Sequence, residues 1–376
     1  AEKDTGKYWR NKGKQLPDTG KNICVVGAGP AGLTAAYYLR KQGHHVTVKE
    51  ALPKAGGMLQ YGIPSYRMPR EVLDQEIQYI LDRGIELETG VKVQNIAELK
   101  EQYDAVLVAI GNHEGTLLPM EGNDAEGILL NIDFLRNASM GNETGIGKRV
   151  IVLGGGNVAF DCARTAKRLG AEEIHVACLE ARDKMTADEE EIEQAQEEGI
   201  QVHPAQSFEK ILKGNDNKVT GVAFSDILSF TFDENHRAII EKAEDSYHEI
   251  EADTVIFAVG QRCGLSPEAG MERDRANSIK ADEKTLETDI QGVFACGDVT
   301  YGTKSVILAI ADGRKVAESI DKYLGGDGDI SEVLAPVEEH PTAIGQVEGF
   351  GYEPRRNPQI LSAKERKDNF DMVDHG

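Results

Sequence analysis

Two glycine runs carry the chemistry that this chain's residue types can support. In Gly27-Ala28-Gly29-Pro30-Ala31-Gly32 the glycines fall at GxGxxG spacing between an apolar run, ICVV, and a helix-like stretch, LTAAYYLRKQG. The first glycine permits a tight turn, the second lets backbone approach a pyrophosphate, and the third lets helix pack on strand. The helix start then offers unpaired N–H groups and a positive dipole end to phosphate. Glu50 closes the following strand, where a carboxylate can accept both ribose hydroxyls of an adenosine. An empty βα turn is the alternative, and the complete strand, turn, helix and acid weigh against it.

The second run, Gly154-Gly155-Gly156-Asn157-Val158-Ala159, has the same setting, with Ala in the third position that the fingerprint permits. Its next strand ends HVACLEARD, placing Glu180 where a second ribose acid is expected. A carboxylate there repels a 2′-phosphate and favours NAD over NADP; Arg182 would reverse that by swinging in, and a solvated strand end is the plainer alternative. Two cradles in one chain fit a resident redox cofactor and an exchangeable hydride donor, a flavin and a nicotinamide.

The elements that must hold these loops follow from the surrounding pattern. ICVVGAGPAGLTAAYYLRKQGHHVTVKEA reads as one βαβ unit of about 30 residues, and KRVIVLGGGNVAFDCARTAKRLGAEEIHVACLEA repeats it. EVLDQEIQYILDRG reads as a helix, and YDAVLVAIG and DTVIFAVG as two similar buried strands. Residues 218–251 alternate like a meander, and GVFACGDV followed by SVILAIADGRKVAESIDKYL gives a strand, an acidic turn and a long helix. The class is α/β with two Rossmann-like dinucleotide-binding domains, each carrying a β-meander.

Composition bounds the rest. A chain of 376 residues with 40% hydrophobic content and a mean hydropathy of -0.40 suits two or three globular domains. A net charge of -22 argues against nucleic acid as a partner. No apolar run approaches the roughly 20 residues of a membrane span, and the first 20 residues lack a signal-like apolar core, so the chain is read as cytoplasmic. Five scattered cysteines, without CxxC, show no disulfide, zinc or iron–sulfur ligand set, and no metal site is assigned. Cys296 reads as a small core residue, His113 as a surface-loop residue near the flavin, and DEEEIEQAQEEG as a solvated helix face. Trp9, the sole tryptophan, is expected to pack.

GAGPAGLTAAYYL, EALPKAGGMLQYGIPSYRMPREVLDQEI, GGGNVAFDCARTAKRLGA and GVFACGDV with SVILAIADGRKVAESI together resemble the glutamate synthase small-subunit family of NAD(P)H:FAD oxidoreductases. The resemblance implies an NAD(P)H domain inserted between two pieces of an FAD domain. The expected division is an arm over 1–20, FAD pieces over 21–130 and 253–330, the insert over 131–252 and an irregular tail over 331–376. By position it implies Gly27, Gly29, Pro30 and Ala31 at the FAD pyrophosphate, Glu50 at its ribose, and Gly57, Met58 and Arg67 as further FAD contacts. Val93 would meet the adenine, and Gly297, Asp298, Ser305 and Val306 the flavin end. On the nicotinamide side it implies Gly155, Gly156, Asn157, Val158, Leu179, Glu180, Ala258, Val259 and Gly260; NADP-using members carry basic residues where this chain has Leu179 and Glu180.

The activity so implied is hydride transfer between NADH, or NADPH, and FAD, with electrons exchanged with iron–sulfur centres on a partner subunit or on a segment this sequence does not contain. The transfer needs positioning and electrostatics and no side-chain acid or base, so no catalytic side chain is assigned. A disulfide reductase would need a cysteine pair near the flavin, and a non-catalytic flavin-bearing subunit would lack nicotinamide affinity.

Overall fold

The computed structural model describes residues 15–232, 238–264, 270–274, 277–331, 359–367 and 369–374. Trp9 and the tail prolines Pro336, Pro341, Pro354 and Pro358 lie outside them. Short apolar strands alternate with helices in the first half: β1 (Asn22–Val26), α1 (Pro30–Lys41), β2 (His45–Glu50), α2 (Met58–Tyr61), α3 (Arg70–Leu81), β3 (Glu86–Thr89), α4 (Ile96–Gln102) and β4 (Ala105–Val108). Next come β5 (Glu114–Gly115), β6 (Ile128–Leu130), α5 (Asn131–Met140), β7 (Arg149–Leu153), α6 (Asn157–Arg168), β8 (Glu173–Ala177), α7 (Glu189–Glu197) and β9 (Gln201–His203). The remainder is β10 (Gln206–Lys213), β11 (Val219–Phe232), β12 (Ala238–Lys242), β13 (His248–Glu251), β14 (Thr254–Phe257), β15 (Gln261–Arg262), β16 (Val293–Ala295), α8 (Asp298–Tyr301) and α9 (Val306–Tyr323).

Two parallel five-stranded sheets result, ordered β16-β4-β1-β2-β3 and β6-β14-β7-β8-β9. Their central strands are apolar without alternation because helices cover both faces: Ile23 to Val26, Val106 to Val108 and Val150 to Leu153 are all buried. The second sheet is inserted between β4 and β16 of the first, as the resemblance implied. On the first sheet α9 crosses α1 closely enough that a Cβ at Gly313 would lie 2.3 Å from the Ala31 carbonyl oxygen.

The expected boundaries at 131 and 253 cut through the second sheet, since β6 and β14 both belong to it. The reason is physical: ILL and TVIF are short apolar runs of the same kind as AVLV, and pattern alone cannot say which sheet recruits them. The expected meander exists in the second half as β10, β11, β12 and β13, antiparallel around the 14-residue β11. For the first half, the described residues hold only the two-stranded β5·β15 ribbon in the corresponding place. No helix among the described residues is long and apolar enough to cross a membrane.

Candidate functional site

Both glycine loops leave the C-terminal edge of a central strand and make the same turn. Gly27 has φ +106° and Gly154 φ +141°, and a Cβ on either would collide with a carbonyl of the neighbouring strand's extension: Ala109 O at 2.5 Å and Ala258 O at 2.4 Å. Each first glycine donates its N–H to the next strand at 2.8 Å, Gly27 to Lys49 and Gly154 to Ala177. Gly32 fits only without a side chain, since its Cβ would sit 2.0 Å from the Gly27 carbonyl oxygen. Ala159, in the equivalent place, is fully buried.

The middle glycines are open where phosphate would approach. Around a Cβ at Gly29 the sole atom within 4 Å is the Gly57 Cα, and around one at Gly156 it is the Thr186 hydroxyl oxygen. Neither α1 nor α6 has a side-chain cap, so the N–H groups of each first turn face this opening, with Pro30 supplying a preset φ at the start of α1. Gly57, at φ +56°, would bring a Cβ to 2.8 Å from the Gly29 Cα, so its bare backbone and the adjoining Met58 close one wall.

The two acids expected at a ribose differ. Glu50 is buried, and its two oxygens accept the Ala28 and Leu52 N–H groups at 2.8 Å, which pins the carboxylate at the mouth of the first cradle. The Val91 N–H donates to the Glu50 carbonyl at 2.9 Å, bringing half-buried Val93 alongside this edge of the sheet. In the second loop the strand register makes Cys178 the counterpart of Glu50, since Ala177 takes the place of Lys49. Glu180 lies two positions further on, yet folds back so that its Oε2 would be 3.0 Å from a Cβ on Gly155. Leu179 is half-buried beside it. Arg182 does not reach the loop: its guanidinium forks onto Glu189, with one bond of 3.0 Å.

At the end expected to hold the flavin, a Cβ on Gly297 would lie 3.1 Å from the Ala31 Cβ, which brings α8 and the start of α9 to the mouth of the first loop. Asp298 is held by the Lys304 N–H at 3.2 Å, and its own carbonyl accepts from the Asn112 amide at 3.1 Å. Burial, with Asp312 nearby, raises the Asp298 carboxyl above its usual range. Ser305 caps α9 by accepting the Leu308 N–H at 3.3 Å, and Val306 follows in its first turn. Ala258, Val259 and Gly260 follow β14, with the Gly260 carbonyl accepting from the Thr116 N–H at 3.2 Å. These cradles, acids and uncapped helix starts fit two dinucleotides.

Several expectations change. Arg67 is spent on the joint between the halves, donating to both Asp161 oxygens at 2.9 and 3.1 Å and pairing with Glu191 at 3.0 Å, so the structure places its guanidinium on the second domain and not at the FAD cradle. The Asn157 side chain, expected at the nicotinamide dinucleotide, exchanges two hydrogen bonds with Asp188 (3.0 and 2.8 Å), leaving its backbone to face the cradle. The acidic helix is not solvated throughout: Glu191, Gln194 and Glu198 turn inward onto Arg164, which is fully buried, and Glu198 also takes Arg168 at 2.7 Å. The Tyr66 ring sits 4.8 and 4.0 Å from the Arg164 and Arg168 guanidinium carbons. The tail reaches the same place, with Arg366 pairing Glu197 at 3.1 Å and the Val373 N–H donating to the Tyr66 carbonyl at 3.1 Å. His113 is half-buried and not a free surface residue; burial, with Arg136 beside it, pushes its pKa down to about 4, so its ring is neutral at pH 7.

All five cysteines are buried and none is in a disulfide. Burial raises the Cys296 thiol well above its ordinary range and that of Cys178 to about 12, the opposite of a reactive thiolate. Among the described residues no cluster of histidine, cysteine and carboxylate side chains could hold a metal ion.

Comparison with known proteins agrees with this architecture. Residues 21–313 match the family described as pyridine nucleotide-disulphide oxidoreductase. The NADP(+)-dependent formate dehydrogenase subunit beta of Moorella thermoacetica is 35% identical over 95% of this chain and 52% of its own length. The NADPH-Fe(3+) oxidoreductase subunit beta of Geobacter sulfurreducens is 36% identical over 82% of this chain and 50% of its own length, so the chain spans about half of these relatives. The glutamate synthase [NADPH] small chain of Azospirillum brasilense is 33% identical over 81% of this chain and 67% of its own. Among solved structures, FprA of Mycobacterium tuberculosis in complex with NADPH superposes with a TM-score of 0.70 over 82% of this chain and 85% of its own, at 18% identity, a likeness of fold. Together these place the chain in the pyridine nucleotide-disulphide oxidoreductase family, among the flavoprotein oxidoreductases that include the glutamate synthase small chains.

Proposed function

We propose that this chain binds FAD in the first cradle, takes hydride from NADH held in the second, and passes the electrons to iron–sulfur centres on a partner subunit. The observation that carries the reading is the pair of equivalent glycine turns, Gly27 against Ala109 and Gly154 against Ala258, each opening onto an uncapped helix start. Bound FAD supplies the two-electron chemistry. The chain's own work is placement. Gly27, Gly29, Pro30 and Ala31 admit the pyrophosphate, Glu50 accepts the ribose hydroxyls, and Gly57 and Met58 wall the middle of the cofactor. Val93 lies by the adenine, and Asp298 with Gly297, Ser305 and Val306 holds the flavin end.

On the second side Gly155, Gly156, Asn157 and Val158 receive the nicotinamide dinucleotide, with Ala258, Val259 and Gly260 beneath its reactive end. NADH preference is supported by the Glu180 carboxylate against Gly155 and by Glu189 drawing Arg182 away, an arrangement that repels a 2′-phosphate. The named relatives that use NADP make this a sharp question. A partner carrying the clusters is supported by relatives named as subunits, about twice the length of this chain. Buried thiols outside any disulfide suit a reducing compartment such as the cytoplasm.

Anaerobic addition of NADH to the FAD-loaded protein tests the reading, with loss of the flavin band near about 450 nm as the expected outcome. FAD that is bound and stays oxidised with NADH and NADPH alike refutes it.

A further inference from the structure

A buried ionic cluster lies outside both cradles, at the joint between the halves. Four guanidinium groups, Arg67, Arg164, Arg168 and Arg366, meet three buried carboxylates, Asp161, Glu191 and Glu198, with Glu197 pairing Arg366 at the exposed rim; they are drawn from three parts of the chain. A buried cluster of paired charges adds little stability over apolar packing, but it can single out one arrangement, because the charges meet their partners only when all the parts are in register. Arg67 belongs to the flavin half, in the segment that leaves α2 beside Gly57, and Gly57 touches Gly29 of the first cradle. Asp161 lies one turn into α6, whose N-terminus faces the second cradle. The Arg67–Asp161 bond therefore joins one cradle to the other by a short, packed path. The tail closes the joint from behind: Arg366 is 4% exposed and anchored on α7 and the helix-capping Glu198, while Val373 and Phe370 lie on Tyr66, the residue before Arg67.

We propose that Arg67 and Arg366 are positioning residues for hydride transfer: with Asp161, Glu191 and Glu198 they fix the angle of α6 to the flavin half. The inference rests on the proposed transfer, in which a hydride, two electrons and one proton, leaves the reduced nicotinamide and reduces the flavin. Hydride transfer is steep in distance, and a displacement of about 1 Å can cost about a hundredfold in rate.

The test uses the full chain with FAD. Spin labels on Lys92→Cys and Glu172→Cys, exposed sites in the two halves, report the interdomain distance, and the buried native cysteines leave the label to the introduced pair. The expected wild-type distribution is single and narrow. Arg67→Gln and Arg366→Gln should broaden or shift it, and should lower the limiting rate of flavin reduction by about ten- to a hundredfold while the Kd for NADH moves less than about twofold. Arg67→Lys should recover part of both readouts. Asp161→Asn, nearly isosteric, carries the same expectation should Arg67→Gln not fold, and the Arg67→Gln/Asp161→Asn pair should cost no more than either change alone. An unchanged distance distribution and an unchanged limiting rate in variants that fold overturn the proposal. A wild-type flavin that neither NADH nor NADPH reduces overturns instead the transfer reading, and the label distances still judge the joint by themselves.

Discussion

Gly154→Ala separates the two cradles. The substitution places a non-glycine residue at φ +141°, which costs about 1 to 3 kcal/mol in backbone strain, and puts its Cβ 2.4 Å from the Ala258 carbonyl oxygen. Ordinary contact begins at 3.4 Å, so loop and strand extension must part by about 1 Å. Neither yields easily, since β14 is hydrogen-bonded between β6 and β7 and all four of its residues are buried. The displacement falls on Ala258 to Gly260 and on the opening at Gly156. At about a hundredfold per ångström of misplacement, equivalent to about 2.7 kcal/mol, the ratio of limiting reduction rate to NADH Kd should fall about a hundredfold. Anaerobic stopped-flow reduction measures this, with FAD content measured alongside and expected to stay near wild type, because the first sheet is untouched. Gly27→Ala, with its Cβ 2.5 Å from the Ala109 oxygen, should instead lose FAD. Gly170→Ala is the control for strain alone, having φ +95° and nothing within 4 Å of its Cβ, and should change neither readout. A Gly154→Ala protein that reduces its flavin with wild-type efficiency would refute the assignment of the second loop and favour a chain that carries flavin without using nicotinamide.

Glu180→Arg should raise the ratio of NADPH to NADH efficiency in steady-state assays by tenfold or more on the order of a new charge-assisted phosphate contact; an unchanged ratio would remove Glu180 from the specificity reading. Arg164→Met should destabilise the second domain by about 3 kcal/mol in denaturant unfolding, the low end for breaking a buried pair, because Glu191 keeps Arg67 and Glu198 keeps Arg168. A loss under about 1 kcal/mol would show that the neighbours redistribute the charge. His113 has its folded pKa depressed to about 4 from an unfolded value near 6.5, so its stabilising share is whole above pH 6.5 and is lost as pH falls toward 4. His113→Gln should therefore flatten the pH dependence of stability by roughly 2 to 3 kcal/mol between those limits, and an identical slope in the variant would place the titration elsewhere.

The two βαβ units and their glycine turns were legible because period, length and turn chemistry agreed at each: ICVV and RVIVL are buried strands, and α1 and α6 begin one residue after the middle glycine of each fingerprint, at Pro30 and Asn157. Sheet membership was not, since β6 and β14 look like first-domain strands until hydrogen-bonding partners are known. The acidic helix misled for a different reason. A run of glutamates reads as solvated, yet Glu191, Gln194 and Glu198 stand at i, i+3 and i+7, one stripe, and Arg164 and Arg168 stand at i and i+4 in a helix whose other buried residues include Ala159, Phe160, Cys162, Ala163 and Ala166. The matching stripes were the available signal, and only their pairing across sequence separations of 27 and 30 residues turns them from surface into core. Arg67 shows the limit of carrying a role by position, because nothing in its neighbourhood along the chain announces Asp161, 94 residues away.

On the proposed assignment of the cradles, the difference between the acids would give them different holds on a ligand. Glu50 is buried, sits at the strand end and has both oxygens fixed by backbone N–H groups before any ribose arrives, so little ordering remains to be done on binding. Glu180 is half-buried, lies two residues past the equivalent strand position, and reaches its loop from a segment that continues into an exposed turn around Arg182 to Lys184. A dinucleotide bound there would use part of its binding free energy to order the carboxylate and its turn, which would weaken the complex and hasten release. A preorganised acid suits a cofactor that stays through many turnovers, and a looser one suits a dinucleotide that must leave after each. Under the proposed function, the same fingerprint, used twice, would acquire a resident and an exchangeable form from a two-residue shift in where the acid stands.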